Sequence, residues 1–484
     1  MIPARTKIAL ALSVLLCAGL GACLVGPNYR RPAVVTTPAF KEAAGWAPAQ
    51  PSDAAERKDW WTVFGDQTLD DLETRVNVSN QTLAAAEAAY RQAHALVAQD
   101  RAALFPTITL SASATATKSA GGASIVTNGV SSGGSGGAVR TTYEPTIGGT
   151  WAPDIWGAVR RQIQNAKASA QASAATVANA RLSAETELAA DYISLRQLDQ
   201  QKRNLDATVA AYQHSLEITE NKYKVGVVAE SDVLSARGLL LTTQANDTDL
   251  TQQRARMEHA IAILTGAPPA DVNLPPAPWT LKLPEIPSAV PSALLQRRPD
   301  IATSERSAAA ANALIGVQVA AYFPNITLSG QGGFVSSQLG KLFNVSSSFW
   351  SVGASAAETI FDAGARAARV RGARAAYDEA VANYRQVVLT AFGQVEDNLS
   401  AQRVLGPEEA QLREAADVTA ANEKITLNEY RAGTVDYTTV VTAQATALSA
   451  RTALINIQAS RLVTAVDLIE ALGGGWTTAD LPKD

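Results

Sequence analysis

AALFPTITLSA occupies residues 102–112, and a near-copy, AAYFPNITLSG, occupies 320–330. Each follows an alanine-rich stretch, and each sets a proline in front of an alternating run. After Pro106, the residues Ile108, Leu110, Ala112, Ala114 and Ala116 fall on one side of an extended chain. Thr107, Thr109, Ser111, Ser113, Thr115 and Thr117 fall on the other. That is a period-two strand with an apolar face and a face of small polar groups. A strand on a soluble sheet alternates in the same way. A barrel strand crossing a bilayer, about ten residues long, must do so, with lipid outside and water inside. TTYEPTIGGTWAP (141–153) and SSFWSVGASAAETIF (347–361) read as the returning strands, and Tyr143, Trp151, Phe349 and Trp350 suit an aromatic girdle at the membrane interfaces.

The repetition runs through the whole chain. DIWGAVRRQIQNAKASAQA (154–172) aligns with IFDAGARAARVRGARAAYD (360–378), which sets Gly157 on Gly364. ENKYKVGVVAESDVL (220–234) aligns with LNEYRAGTVDYTTVV (427–441), which sets Gly226 on Gly433. AIAILTG (260–266) aligns with LIEALGG (468–474). The first copy carries a longer Gly/Ser loop, KSAGGASIVTNGVSSGGSGGAVR (118–140), at the tip of its strand pair, where insertions are best tolerated. Each repeat reads helix, strand, loop, strand, very long helix, turn, helix. Two strands per repeat give four per chain, and the smallest outer-membrane barrels have about eight. Strands of this kind in a membrane therefore require an oligomer.

From Gly157 to Gly226 there is no proline, and good helix formers dominate. At 1.5 Å per residue the stretch makes a rod of roughly 100 Å. The second rod, Gly364 to Gly433, contains Gly406 and Pro407, where a kink or break is expected. Leu205, Val209, Tyr212, Leu216, Thr219 and Tyr223 step 4-3-4-3-4, as do Tyr377, Val381, Tyr384, Val388, Ala391 and Val395. A seven-residue period means coiled packing against neighbouring helices. YKVGV and YRAGT each place a glycine where a rod must reverse. Ser231 or Asp232, and Thr434 or Asp436, are the candidate caps of the returning helices.

The chain has 484 residues, with 47% hydrophobic and 18% charged, which suits a folded protein of several domains. Net charge is −4 and no Lys/Arg stripe forms, so nucleic acid is not an expected partner. Residues 1–22 read as a secretory signal: Arg5 and Lys7 precede the apolar IALALSVLLCAGL. LGAC (20–23) is similar to a bacterial lipobox, which makes Cys23 the lipidation candidate. Cleavage there takes the charge to −6 and removes Cys17, so no disulfide is expected. More than one acyl chain on Cys23 would anchor stably. Beyond the signal no run is apolar and long enough for a transmembrane helix, so a span must be a closed barrel.

CLVGPNYRRP (23–32), WWTVFGDQTLDDL (60–72), LLQRRPDIATSE (294–305), AAYFPNITLSG, YRAGTVDY (430–437) and LGGGW (472–476) together resemble the outer-membrane efflux channels of the TolC and OprM kind, the lipoprotein branch most closely. The resemblance implies a mainly α fold with a membrane β-barrel: a homotrimer closing a 12-stranded barrel, continued by a helical coiled-coil tube with a mixed α/β equatorial belt. It divides the chain into a signal (1–22), an N-terminal belt segment (23–66), a first repeat (67–266), a Pro-rich linker (267–291), a second repeat (292–475) and a tail (476–484). Barrel strands are expected near 106–117, 141–153, 324–335 and 348–361, and long helices near 157–225 and 364–430. The implied partners are further copies of the chain, a periplasmic adaptor (membrane fusion) protein, an inner-membrane transporter of the resistance-nodulation-division type, and outer-membrane lipid of a Gram-negative bacterium. Apart from the lipid on Cys23, no cofactor or metal is implied.

The resemblance places Val225, Gly226, Val227, Ala432, Gly433 and Thr434 at the periplasmic tip, as the adaptor-docking candidates. Family members narrow the pore there with acidic rings, but the matching positions are Thr439 and Thr442. Asp232, which matches Thr439 in the first repeat, is the substitute candidate, with Glu230 and Asp436 nearby. The acidic residues also suit a helix's first turn for reasons of its dipole. The expected function is a passive exit duct for small toxic molecules in a tripartite pump. The alternatives are a duct for type I protein secretion and a structural coiled-coil lipoprotein without a pore. An enzyme is not expected: His94, His214 and His259 lack metal-ligand spacing, and neither a phosphate loop nor a nucleophile elbow appears.

Overall fold

The computed structural model describes residues 24–35, 37–42, 59–118, 139–284 and 297–482. Cys23, the signal, the Gly/Ser loop at 119–138 and residues 285–296 at the end of the Pro-rich segment lie outside the described residues. A short turn, Trp60–Phe64, leads to helices α1 (Gln67–Ser79) and α2 (Gln81–Ala102). Strands β1 (Thr107–Lys118) and β2 (Val139–Trp151) follow, then α3 (Ala158–Lys224) and α4 (Glu230–Leu264). The second copy repeats the order with α5 (Pro299–Ala320), β3 (Asn325–Phe334), β4 (Ser348–Ala357), α6 (Ala365–Ala432) and α7 (Tyr437–Ala471). The chain divides into two compact units.

The first unit holds the four strands and the helix ends that feed them, residues 93–170 and 307–380 with the N-terminal segment to residue 31. The strands form one antiparallel sheet in the order β1-β2-β3-β4. Each long helix starts behind a glycine with positive φ, Gly157 at +82° and Gly364 at +88°, and behind an aspartate. Asp154 accepts from the N–H groups of Val159 and Arg160 at 3.0 and 2.9 Å, and Asp362 from those of Gly364 and Arg366 at 3.1 and 3.0 Å. β4 stops at Ala357, earlier than the sequence suggests, and the following residues turn into this Asp362 cap.

The second unit holds the rest of the helices. Asp66 caps α1, accepting from Thr68 and Leu69 N–H at 2.9 and 3.2 Å. Leu69, Leu72 and Val76 of α1 then bury against Leu188 and Tyr192 of α3, Ile261 of α4 and Leu462 of α7, beneath Trp60, Trp61 and Phe64. The expected stripe of the second rod is found: Val381, Tyr384, Val388, Ala391 and Val395 are buried, and Tyr377 is half-buried. In the first rod Leu205, Tyr212 and Thr219 are buried, but Thr208 and Ser215 take the places expected for Val209 and Leu216, and Tyr223 is exposed. The hydroxyls of Thr208 and Thr219 bond back to the carbonyls of Asn204 and Ser215, which lets the polar side of the stripe turn inward.

The expected break at Gly406–Pro407 does not occur: α6 is continuous and carries Pro407 in its interior. The proline is exposed, so the carbonyl it leaves unbonded, on exposed Arg403, faces solvent. Contacts on either side hold the helix to α7: Gln402 Nε2 donates to the Arg461 carbonyl at 2.6 Å, and Glu409 pairs with Arg461.

Candidate functional site

The sheet is two-faced. Directly opposed residues share a face, and neighbours along a strand alternate. Leu110 opposes Ile147, Ile147 opposes Gly332, and Gly332 opposes Trp350. Ile108, Gly149, Gly330 and Val352 form the next row, and Trp151, Leu328 and Ala354 a third. The other face carries Thr109, Ser111, Ser113, Glu144, Thr146, Gln331 and Ser351. There Ser111 and Thr146 hydroxyls bond at 2.7 Å. The apolar row is open in the single chain: Leu110 is 81% exposed and Trp350 80%. Among the described residues β1 and β4 are free edges. Trp151 is also partly exposed, and its Nε1 donates to the Leu104 carbonyl at 2.9 Å.

Beside the first helix start, the N-terminal segment is strapped into place. Arg161 is 2% exposed. Its Nε donates to the Val25 carbonyl at 3.0 Å, one terminal nitrogen to the Gly26 carbonyl at 2.9 Å and to Asn28 Oδ1 at 3.0 Å, and the other to Gln164 Oε1 at 2.9 Å. Val25 N–H donates to the Trp156 carbonyl, and Asn312 Nδ2 to the Pro27 carbonyl. Trp156 stacks on Phe323 with ring centroids 4.8 Å apart. The segment fits only because of glycines: a Cβ on Gly26 would sit 2.4 Å from Gly316 Cα. Sequence reading missed Arg161, whose partners are backbone carbonyls about 135 positions away.

At the other ends of the long helices the two hairpin turns match. Gly226 has φ +75° and Gly433 φ +80°. Gly226 N–H donates to Tyr223 and Val227 N–H to Lys222; Gly433 N–H donates to Tyr430 and Thr434 N–H to Glu429. This paired 5→2 and 6→1 pattern closes a helix on a left-handed residue. The returning helices differ. Asp436 caps α7, accepting from Thr439 N–H at 2.9 Å and Thr439 Oγ1 at 2.6 Å, and the hydroxyl and N–H hold its carboxyl below the usual range. Before α4, Ala229 holds the cap position without a side-chain bond. Neither Ser231, Asp232 nor Thr434 is a cap; Thr434 Oγ1 bonds the Glu429 carbonyl.

A second feature of the tip was not foreseen. Tyr430 and Tyr437 flank the second turn edge to face, 5.3 Å apart, both 2% exposed. From α3, Lys222 Nζ lies 3.9 Å from the centre of the Tyr430 ring and donates to the Tyr430 carbonyl. Thr219 and Ser215 hydroxyls meet the two phenols at 3.2 and 3.4 Å. Burial first, then the nearby Tyr430 and Asp232 charges, pushes the Tyr437 phenol up. The signal was in the text of YRAGTVDY, two tyrosines bracketing one turn.

Of the residues singled out at the tip, Val225 and Val227 are 74% and 66% exposed, and Gly226, Ala432, Gly433 and Thr434 are exposed beside them. Glu230 is exposed and Asp232 half-buried in the first turn of α4. Thr442 bonds the Thr438 carbonyl within its own helix. Among the described residues no helix is long and apolar enough to cross a membrane. Among them, too, no three His, Cys, Asp or Glu side chains gather as metal ligands.

Comparison with known proteins places these features. The family described as "Outer membrane efflux protein" matches residues 74–267 and 290–474. The chain is 31% identical over 467 residues to the toluene efflux pump outer membrane protein TtgC of Pseudomonas putida, covering 94% of this chain and 93% of that one. It is 30% identical over 478 residues to the outer membrane protein OprJ of Pseudomonas aeruginosa, covering 97% of each. Among solved structures, the outer-membrane channel OprN superposes with a TM-score of 0.84 at 30% identity, over 94% of this chain and 100% of that one.

Proposed function

The chain belongs to the outer membrane efflux protein family, and we propose that it is the outer-membrane exit duct of a tripartite pump, passing small toxic organic molecules such as drugs or solvents out of the cell. One observation carries the reading: a four-stranded sheet with one apolar face, one polar face and two free edges. In lipid, open edges leave backbone groups unpaired at several kcal/mol each. Three copies supply twelve strands, enough to close a barrel with the apolar rows outward and Thr109, Ser111, Glu144 and Gln331 lining water. A lipid on Cys23 would anchor the chain to the membrane. A periplasmic adaptor protein would meet the exposed tips at Val225–Val227 and Ala432–Thr434, and an inner-membrane transporter of the resistance-nodulation-division type would load the duct. A passive duct needs no catalytic residue.

Native mass spectrometry of the full chain in mild detergent tests the assembly: three copies are expected, and the same material should conduct ions in planar bilayers. A stable monomer in the membrane would overturn the barrel. Intact mass also reads Cys23: diacylation or triacylation is expected, and an unmodified start elsewhere overturns it. For docking, Gly433→Trp should leave the trimer intact and abolish export. Unchanged drug resistance in a strain relying on this pump would remove the tips from the adaptor contact.

A further inference from the structure

Two glutamates are buried inside the second unit, and nothing in a duct requires them. Glu73 of α1 is 0% exposed, and neither of its carboxyl oxygens has a hydrogen-bond partner. Glu185 of α3 is also buried, and its Oε2 accepts from Trp60 Nε1 at 3.2 Å. Asn77 lies one helical turn beyond Glu73, with its Oδ1 unpartnered. Leu69, Leu72 and Val76, on the same buried side of α1 as Glu73, pack into the core with Leu188 and Ala189 of α3. A bare carboxylate is very costly in such surroundings, and it escapes the cost by keeping its proton. Glu185 already receives the Trp60 donor, so it is the better anion of the two. A neutral Glu73 has a hydroxyl to give.

We propose that Glu73 and Glu185 form a proton-holding clasp that fastens α1 and the Trp60–Phe64 turn onto α3, and that loosens as rising pH strips the pair. Burial pushes Glu73 up to about 10, helped by the charges of Glu185 and Asp70. Burial likewise pushes Glu185 up to about 7, with Asp59 acting in the same direction and Asn77, Trp60 and Arg181 opposing. Asp70 of α1 is itself raised, by burial and then by Asp66, Asp71 and Asp59. The charged groups that bear on the pair are thus Asp59, Asp70 and Arg181, while α4 and α7 bring Ile261 and Leu462 to the same core. Both folded values lie above 4.5, the ordinary value of a glutamate. The stabilising contribution is therefore complete below about pH 4.5 and is lost as pH rises through about 7 and on toward 10. This holds whether or not the chain is a duct.

The full chain in detergent tests it. At neutral pH its infrared spectrum should contain the carbonyl band of a buried protonated carboxylic acid, shifted in heavy water and clearly reduced in Glu73→Gln. The thermal midpoint of the parent should fall between about pH 5 and about pH 8, and Glu73→Gln should flatten that fall and raise the midpoint at the alkaline end. Glu185→Gln should remove the part of the fall between about pH 4.5 and about pH 7. No protonated-acid band in the parent would overturn the proposal; the band needs no variant to fold. A parent-like pH slope in a folded Glu73→Gln would overturn it too. So would a midpoint raised by sodium, potassium, magnesium or calcium in the parent and not in Glu73→Gln, since the pair would then hold a metal cation and not a proton.

Discussion

At Gly157 a Cβ would come within 2.5 Å of Leu24 Cδ1; at Gly364, the same point of the second copy, it would meet nothing within 4 Å. The local design is shared. Each glycine has positive φ, each follows a capping aspartate, and each aspartate pairs with an arginine in the first turn of the helix: Asp154 with Arg160 at 3.1 Å and Asp362 with Arg366 at 2.8 Å. The surroundings are not shared. A chain has one N-terminus, and the first copy takes it, with Arg161 buried to hold it. The position matching Arg161 is Ala368. At the second helix start an open hollow of about 560 Å³ remains, lined by Ala311, Leu314, Gln318, Arg369, Gly372 and Ala373. Duplication preserved the backbone hydrogen bonds of the helix start, and the tertiary partners diverged around them.

That contrast can be broken most strongly at Arg161. Arg161→Ala strands two carbonyls and leaves a void, and should cost about 3–5 kcal/mol, in the range for truncating a buried charged group. Arg366→Ala, at the second start, should cost far less. Detergent unfolding midpoints of both variants check this, and equal losses would show that the strap contributes nothing of its own. Next come the glycines. Gly157→Ala meets both left-handed strain and Leu24, about 2–4 kcal/mol together, whereas Gly364→Ala meets strain alone, about 1–2 kcal/mol. Smaller still is Pro407→Ala. It restores an N–H to the interior of α6 and should stabilise, by no more than about 3 kcal/mol and less at this exposed site. A destabilised Pro407→Ala would mean that the proline sets a bend the fold needs.

Much of this was legible. Alternation after Pro106 and Pro324 gave the strands, because one face of each must differ from the other whatever it touches. A proline-free run gave the first long helix, and the matching span from Gly364 to Gly433 gave the second. The second rod's stripe was read correctly because Val381, Val388 and Val395 are apolar. The first was misread by one position, because Thr208 buries by bonding back to its own helix and Ser215 by meeting the Tyr437 phenol. Pro407 was overweighted, since a local rule cannot see the contacts to Arg461. Arg161 was illegible, as a basic residue in a helix's first turns that binds distant carbonyls has no sequence signature. Glu73 had one: it interrupts the Leu69, Leu72, Val76 stripe on its buried side, which invites the question of what neutralises it.

The tips carry the smallest expected difference in stability and the sharpest one in function. Asp436 caps α7 through Thr439, so Asp436→Ala should lower the unfolding midpoint, and that contribution should already fade in the parent as pH falls through the carboxyl's depressed value. Asp232 makes no cap bond, so its loss should leave the midpoint nearly unchanged. If three copies of Asp232 ring the pore, with Glu230 beside them, Asp232→Ala should instead raise single-channel conductance and reduce cation selectivity in planar bilayers. Asp436→Ala, its carboxylate already engaged by Thr439, should change conductance less. The two variants thus separate a cap from a gate in one pair of measurements. If Asp232→Ala matches the parent in conductance and selectivity, the acidic first turn of α4 serves its helix dipole, and the narrowing lies elsewhere in the duct.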